Sequence, residues 1–376
     1  MLTRARWAVA TVFFVNGAVI ASWVPHIPAV KSRHALSDGQ LGAVLLAMAA
    51  GSVLSLPFAG WLVGRFGSRA MTMLASLALC LALPRPVISD NVLALSLSLA
   101  VLGAANGTLD VSMNAHALSI ERRYQRPIMS SFHALFSLGG AAGAALAGIA
   151  MWLGVRDTAH VAIAAAVGGG VVSAAWSFLL PAQTQGEQPT RVIGWPARAL
   201  LVMGLLAFAG LLAEGAMADW SAVYLHDSLA ASPAVAATGF AAFSLAMTAG
   251  RLAGDRVVGR LGAVRALRVS GGLAATGLGA ALLIGGPIAG IVGFGLVGAG
   301  IANIIPVLFS STGHAGGGAA GSALAAVATP GYLGFLAGPP LIGLAAEHLG
   351  LRGALGLVCV ACALVAVGAR KLPQSV

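Results

Sequence analysis

Twelve runs of mostly apolar residues, each long enough to cross a lipid bilayer as a helix, dominate this sequence. A helix rises ~1.5 Å per residue, so roughly 20 residues span the hydrocarbon core. In lipid every backbone polar group needs an internal partner, and a helix supplies it. The pattern therefore predicts an all-α integral membrane protein with twelve transmembrane helices. They begin near Arg6, Ser37, Ala70, Asn91, Pro127, Thr158, Arg198, Pro233, Ala263, Pro287, Gly318 and His348.

Charged residues make up only 9% of the 376 residues, against about 25% in an average soluble domain. Such a chain cannot cover a globular surface with charge, which excludes a soluble enzyme. The excess of 21 basic over 11 acidic residues would suit nucleic acid only if the charge were clustered on one solvated face. Here the charges lie between the apolar runs. We therefore expect a lipid bilayer, and no nucleic acid, as the partner.

The basic residues predict the orientation of the chain in the membrane. An even number of spans places both termini on one side, and Lys and Arg accumulate on the cytoplasmic side. With a cytoplasmic amino terminus, sixteen basic residues fall inside and five outside, namely Lys31, Arg33, Arg85, Arg156 and Arg352. The sequence thus predicts a multi-pass protein with both termini in the cytoplasm.

A polar stretch from Gln183 to Pro196 divides the twelve spans into two sets of six. We predict an amino-terminal half over 1–181, a cytoplasmic linker over 182–197 and a carboxy-terminal half over 198–376. The halves repeat at an offset of 195 to 197 residues, which indicates an internal duplication. The matching pairs are Trp23 and Trp220, Ser37 and Ser232, Gly64-Arg65-Phe66-Gly67 and Gly259-Arg260-Leu261-Gly262, and Leu153-Gly154-Val155-Arg156 and Leu349-Gly350-Leu351-Arg352.

Two sets of glycines also match between the halves: Gly139, Gly143 and Gly148, and Gly334, Gly338 and Gly343. Small residues at helical spacing let membrane helices approach closely. We expect both sets to form contacts across the two halves.

The two halves, the central loop and a G-x-x-x-G-R-x-G-x-R motif over 60–69 resemble the major facilitator superfamily. In that family an Asp usually precedes the first Arg of the motif, where this chain has Gly64; the second copy contains Asp255 and Arg256. The segments 110–114 (DVSMN) and 126–133 (RPIMSSFH) further resemble a bacterial branch near the fucose-permease-like members.

The resemblance implies two pseudo-symmetric halves, each of three-plus-three inverted repeats, with the substrate bound near the bilayer midplane between them. It also implies that the first, fourth, seventh and tenth helices line the cavity. The expected function is secondary active transport of a small solute across a bacterial inner membrane. The resemblance to fucose-permease-like members implies a sugar-like solute. We expect alternating access, coupling to protons by symport, and a monomer.

Two other functions are weighed. Proton-antiport efflux of amphipathic drugs or metabolites would suit the Ala- and Gly-rich cavity helices. An intramembrane hydrolase is more remote: Ser130, Ser131 and His133 lie together, yet the chain has no G-x-S-x-G or H-E-x-x-H motif. No phosphate loop is present either. We therefore expect no enzymatic activity, no cofactor and no bound metal.

Ionisable residues inside spans are expensive, which makes them functional candidates. Asp110 lies near the midplane of the fourth span, and Glu214 is deep in the seventh, whereas Asp219 points elsewhere and lies near the outer surface. Burial disfavours the charged form of a carboxyl group, a property that a proton carrier needs. We predict that Asp110, Glu214 or both bind the coupling proton, with His133 relaying protons to Asp110.

Polar and aromatic residues of the cavity helices are candidates for solute contact. They are Asn16, Trp23 and His26 in the first span, Asn106 and Asn114 in the fourth, Trp220 and Tyr224 in the seventh, Asn303 in the tenth and Tyr332 in the eleventh. Trp and Tyr are also enriched at membrane interfaces, so an interfacial belt is an equal interpretation for Trp23 and Trp220.

Charged residues at the cytoplasmic helix ends are candidates for an inner gate that breaks as the halves rock. They are Arg65, Arg69, Arg251, Asp255, Arg256 and Arg260. Arg251 and Asp255 are four residues apart, so they can pair on one helix face. The same residues also serve as the topology signal counted above.

Overall fold

The computed structural model describes residues 2–126, 128–181, 198–315 and 320–372, with only the backbone described over 312–315 and 320–325. These ranges contain twelve spans, α1 to α12, of which ten are separate helical stretches. They are Leu2–Arg33, Asp38–Phe66, Ser68–Val87, Val92–Tyr124, Met129–Trp152, Asp157–Phe178, Arg198–Ser228, Pro233–Leu261, Ala263–Ile284 and Pro287–Ser311. The predicted linker over 182–197 and the predicted start of the eleventh span at Gly318 lie outside the described residues.

α11 and α12 share one helical stretch of 49 residues, Ala320–Gly368. At ~1.5 Å per residue this stretch would be more than twice as long as a bilayer core is thick. Gly350 divides it into 320–349 and 351–368 by adopting φ 66° and ψ 162°. Gly154, its counterpart between α5 and α6, also has a positive φ, of 71°. The predicted twelve-helix fold is therefore confirmed, with the same glycine hinge in each half.

Local structure repeats at other matched positions as well. Ser37 caps α2 by accepting a hydrogen bond from the Gln40 backbone N–H at 3.2 Å, and Ser232 caps α8 by accepting one from the Val235 N–H at 3.4 Å. These side chains satisfy backbone donors that a helix start leaves unpaired. α2 and α8 also end alike, at Gly67 and Gly262. The duplication read from the sequence is thus present in the backbone.

Several spans are interrupted. In α1 a 3₁₀ turn, Val24–His26, joins the helices Leu2–Trp23 and Ile27–Arg33. α3 consists of Ser68–Ala82 and Pro84–Val87. α6 and α7 end in the irregular turns Trp176–Phe178 and Tyr224–Ser228. α10 is broken between Pro287–Ile301 and Ile304–Ala315. Such breaks are tolerated in a membrane where the surrounding protein satisfies the freed backbone.

The helices pack in matching pairs, α1 against α5 and α7 against α11 within the halves, and α2 against α11 and α5 against α8 between them. The expectation that all the matched glycines join the halves was wrong in part. A Cβ on Gly139 would lie 2.0 Å from the Phe14 carbonyl oxygen of α1, and one on Gly334 would lie 2.3 Å from the Phe208 carbonyl oxygen of α7. Both contacts lie within one half.

The last glycine of each set does cross between the halves. A Cβ on Gly148 would lie 3.0 Å from the Cβ of Ala237 in α8, and one on Gly343 would lie 2.6 Å from the Asp38 carbonyl oxygen of α2. The first glycines therefore hold each half together, and the last form the seam between halves. Spacing alone could not separate these roles, because it does not tell which neighbour a glycine faces.

Replacing Gly139 with Leu is expected to lower the free energy of unfolding by about 3 kcal/mol, because the new side chain would clash with the backbone of α1, which cannot move aside. The measurement is the thermal unfolding midpoint of the purified protein in detergent. Gly170→Leu in α6 is the matched control, since a Cβ there has open space around it. Equal midpoints for the two variants would contradict the close α1–α5 contact.

Candidate functional site

A carboxylate and an amide lie at mid-depth of α4. Asp110 is 18 residues from the start of the 33-residue helix and half-buried. The Asn114 side chain, one turn further on, donates to Asp110 Oδ1 at 3.0 Å and to the Asp110 carbonyl oxygen at 2.8 Å. The amide therefore orients the carboxyl group without supplying a positive charge.

Arg251 of α8 forms the second part of the site. Its guanidinium lies 3.4 Å from Glu214 Oε1 of α7 and donates to the His133 carbonyl oxygen of α5 at 3.2 Å. It also donates to the Ser137 hydroxyl of α5. The predicted pairing of Arg251 with Asp255 is replaced by this one, because the side chain turns into the protein rather than along its own helix. Arg251 thus joins the two halves.

The two carboxylates come from opposite halves and lie close enough for their charges to interact. Tyr332 of α11 is within electrostatic reach of Asp110. Glu214 has a cation beside it, whereas the hydrogen-bond donor recorded for Asp110 is a neutral amide. A proton on Asp110 would remove both the repulsion and a charge at membrane depth.

His133 lies beside this site. Its ring packs edge-on against Phe13 at 5.4 Å between centroids, and its carbonyl oxygen accepts the bond from Arg251. These contacts place the imidazole near the α1–α5 interface. A proton relay from His133 to Asp110 stays a prediction.

Two of the residues predicted to contact the solute, Asn16 and Asn106, have side-chain atoms that could bind it. Asn16 of α1 donates to the Met113 sulfur of α4 at 3.6 Å, which joins two of the expected cavity helices. The side-chain oxygens of Asn16 and Asn106 are buried without a hydrogen-bond partner in the described part of the chain. A buried acceptor without a partner is costly, so a solute donor would be stabilised there.

The aromatic candidates are inside the protein. Trp23 is buried, Trp220 is 0% exposed, and Tyr224 packs edge-on against Phe294 of α10 at 6.2 Å. Burial argues against the interfacial-belt interpretation, since a belt residue faces lipid headgroups. Within the described residues, Trp220 Nε1 and the Tyr224 hydroxyl have no hydrogen-bond partner.

Asn303 has a different role in this conformation. It lies in the break of α10, and its amide donates to the Gly250 carbonyl oxygen of α8 at 3.0 Å. A Cβ on Gly254 would lie 2.1 Å from the Asn303 side-chain oxygen, so the amide sits directly on α8. This contact supports the break rather than facing a solute.

The other predicted gate residues lie on the side of the molecule where α1 begins and α12 ends, called here the terminal side. Arg65 packs over the rings of Trp61 and Phe66 at 5.8 and 5.7 Å. Arg69 stacks over Trp176 at 4.6 Å and donates to its carbonyl oxygen at 3.2 Å. These contacts stay within the amino-terminal half. Arg65 is exposed, as are Asp255, Arg256 and Arg260 of α8.

The opposite side, called here the far side, is closed by charges that sequence reasoning missed. Lys31 Nζ lies 2.6 Å from Asp38 Oδ1 and 2.7 Å from Asp227 Oδ2 of the other half. Glu347 of α11 accepts from the Gly39 N–H at the start of α2 at 2.7 Å. Lys31 and Asp227 are 196 residues apart, the offset of the duplication. Opposite charges at matched span ends were the available signal.

Twelve membrane helices in two matched halves, with a polar cluster between them and one side closed, define a multi-pass transporter with a central binding region. Comparison with known proteins agrees. The family model for the Major Facilitator Superfamily matches residues 9–329, and the chain belongs to this family.

Two relatives match almost the whole chain. An uncharacterized MFS-type transporter of Yersinia pestis is 39% identical over 365 residues, which is 96% of this chain and 94% of that protein. The membrane protein MosC of Rhizobium meliloti is 37% identical over 366 residues, 95% of this chain and 89% of that one. The transporter family and these relatives imply a small-molecule solute.

Two solved structures share the fold. The nucleoside transporter NupG superposes with a TM-score of 0.75 at 12% identity, covering 97% of this chain and 98% of its own. A D-xylose-proton symporter superposes with a TM-score of 0.74 at 13% identity, covering 99% and 98%. At such identities the likeness shows the architecture, and the site residues are argued from this chain alone.

Proposed function

We propose that this protein is a proton-coupled symporter that carries a small polar, sugar-like solute by alternating access. The observation that carries the proposal is the pair of carboxylates, Asp110 and Glu214, one in each half, which lie at mid-depth of α4 and α7 within range of each other's charge. Fixed carboxylates at this depth are costly and suit a group that is neutralised during the cycle. Asn106, Asn114 and Tyr332 offer hydrogen bonds to a hydroxyl-rich solute.

In the proposed cycle the two carboxylates have different roles, because Glu214 lies beside Arg251 and Asp110 accepts from a neutral amide. Protonation of Asp110 removes its repulsion of Glu214 and lets the halves close around a solute. Arg251 of α8 pairs with Glu214 and at the same time donates to α5 in the other half. Its contacts therefore depend on the relative position of the halves. Loss of the proton to the opposite side restores the repulsion and favours release. His133 is the proposed route for that proton.

The proposed setting is a bacterial inner membrane, with a monomer whose termini are cytoplasmic. The terminal side then faces the cytoplasm, in accord with the sixteen basic residues on that side. The far side, closed by Lys31 and Asp227, faces outward. In this arrangement the conformation described is closed toward the outside.

The sugar-like class rests on the likeness of segments 110–114 and 126–133 to fucose-permease-like members. It is tested by screening candidate polyols, sugars and nucleosides for thermal stabilisation of the purified protein. A solute present at 100 times its Kd stabilises the folded state by about 2.7 kcal/mol. We expect sugars or polyols to raise the midpoint in the wild-type protein.

Proton coupling is tested with the solute found in that screen. Proteoliposomes containing a pH-sensitive dye are mixed with the solute in the absence of a gradient, and symport acidifies the lumen as the solute enters. Protein-free liposomes are the control. Solute entry without proton movement would rule out symport, and a chemically altered solute would indicate an enzyme.

Proton-antiport efflux of amphipathic compounds is the second candidate. It is favoured by the Ala- and Gly-rich sequence of the proposed cavity helix α7, which includes Ala207, Gly210 and Ala213, and by the small number of polar groups that the carboxy-terminal half brings to the site. The dye assay separates the two functions, because antiport moves protons against the direction of the solute.

A further inference from the structure

Three ionisable residues form a chain on the far side of the amino-terminal half, roughly ten helical residues, ~15 Å, from the level of Asp110. His26 Nε2 lies 2.9 Å from His160 Nδ1, and His26 Nδ1 lies 3.3 Å from Asp157 Oδ1. His26 is 1% and His160 8% exposed, whereas the Asp157 side chain is 30% exposed. The chain therefore leads from the far-side surface into the protein.

His26 lies in the irregular part of α1, at the end of the 3₁₀ turn Val24–His26 and between Pro25 and Pro28. This turn packs against α5 of its own half and against α7 and α8 of the other half. It is thus part of the far-side seam that must separate when that side opens. The histidine chain is attached to a contact that breaks during alternating access.

The geometry limits how many protons the chain can hold. Two imidazole nitrogens at 2.9 Å need one donor and one acceptor, so a single extra proton on the pair is compatible with the bond. A second would place two N–H groups and two like charges against each other. Asp157 offers the counter-charge, and Arg33 lies near enough to Asp157 to favour its ionised form.

The environment of the added proton differs between the closed and the open conformation of the seam. In the closed conformation both imidazoles are buried away from water. Separation of the turn from α7 and α8 would expose His26 to water beside the Asp157 carboxylate, where an added positive charge is solvated. A ligand that binds one conformation more tightly shifts the population toward it.

We propose that Asp157, His26 and His160 form a second proton-binding site, distinct from the central carboxylates, that makes opening of the far side respond to pH on that side. One proton binds as the seam opens, so acidity favours the conformation with the far side open. The inference rests on the proposed alternating access, but not on symport or on the identity of the solute.

The test measures the opening of the far side directly. Spin labels are placed on Asp90→Cys and Ile284→Cys, exposed positions at the far-side ends of the two halves. Cys80, Cys359 and Cys362 are first replaced by Ala. Pulsed EPR then gives the ratio of open to closed distances between pH 5 and 8 in solubilised full-length protein.

We expect the open-to-closed ratio to rise as the pH falls, by up to about tenfold per pH unit where the single proton binds. His26→Gln, His160→Gln and Asp157→Asn should each flatten this dependence. His116→Gln is the matched control: His116 is buried, bonds Ser68 at 3.0 Å and lies toward the terminal side, so the pH dependence should survive.

Three outcomes would overturn the proposal: no pH dependence in the parent protein, an unchanged dependence in His26→Gln and His160→Gln, or loss of it in His116→Gln. Unfolding midpoints identify a histidine variant that misfolds. In that case the pH dependence of Asp157→Asn, at the more exposed end of the chain of residues, is the deciding measurement. Failure of proton symport would appear separately in the dye assay, since the distance measurement needs neither solute nor gradient.

Discussion

Uptake driven by a pH gradient is expected to fall about a hundredfold or more in an Asp110→Asn variant, the scale lost when a proton-transferring group is removed. Asn has the shape of the protonated acid but cannot release a proton. The variant should therefore still exchange solute across the membrane without a gradient, because the neutral Asn needs no proton before the halves change their relative position. The measurement compares gradient-driven uptake with equilibrium exchange in proteoliposomes.

Asp219→Asn is the matched control for this prediction. Asp219 is a half-buried carboxylate of α7, as Glu214 is, but it lies five residues further along the helix. Its replacement should leave gradient-driven uptake nearly unchanged. Glu214→Gln should weaken uptake, since it removes the partner of Arg251. Unaltered proton coupling in both Asp110→Asn and Glu214→Gln would contradict the role given to the carboxylates.

Asp227→Lys is expected to shift the far side from closed to open by at least about tenfold, because it replaces an ion pair with two like charges, which costs several kcal/mol. In the wild-type protein Lys31 Nζ lies 2.7 Å from Asp227 Oδ2. The opening is measured by the rate at which a membrane-impermeant thiol reagent modifies a cysteine placed at Ala346, a buried residue of α11 three positions from Gly343, in a background lacking the native cysteines.

A charge swap provides the rescue for this variant. Combining Lys31→Asp with Asp227→Lys restores an attraction across the seam, since the new lysine faces both the new aspartate and Asp38. The modification rate should return toward the wild-type value. Asp90→Lys, an exposed far-side change away from the seam, should have no effect. An equal effect of Asp90→Lys would reveal a general response to net charge instead.

The architecture was predictable because its cause is local. A membrane span needs a long apolar run, and each run carries that information in its own residues. The matches of Ser37 with Ser232 and of Gly154 with Gly350 were visible in the sequence, whereas their roles as helix caps and hinges came from the structure. The breaks in α1 and α10 were not predicted, because they depend on contacts such as that of Asn303 with the α8 backbone.

The central site was predictable in part. Asp110 and Glu214 stand out as carboxylates inside apolar spans, and depth follows from counting along a helix. The partner of Arg251 did not follow, because the rotation of α8 about its axis decides whether the side chain faces Asp255 or the interior. Contacts between the halves, including those of Gly148 and Gly343, depend on the relative placement of distant segments in the same way.

Lys31 has two carboxylate partners, and only one of them belongs to the other half. When the far side opens, Lys31 keeps Asp38 at 2.6 Å within its own half. Asp227 keeps a neighbour too, since its Oδ1 lies 2.7 Å from His226 Nδ1. No charge is left isolated on either surface. The far-side contact can therefore be specific without making the closed conformation too stable to open, which suits the alternating access proposed for this protein.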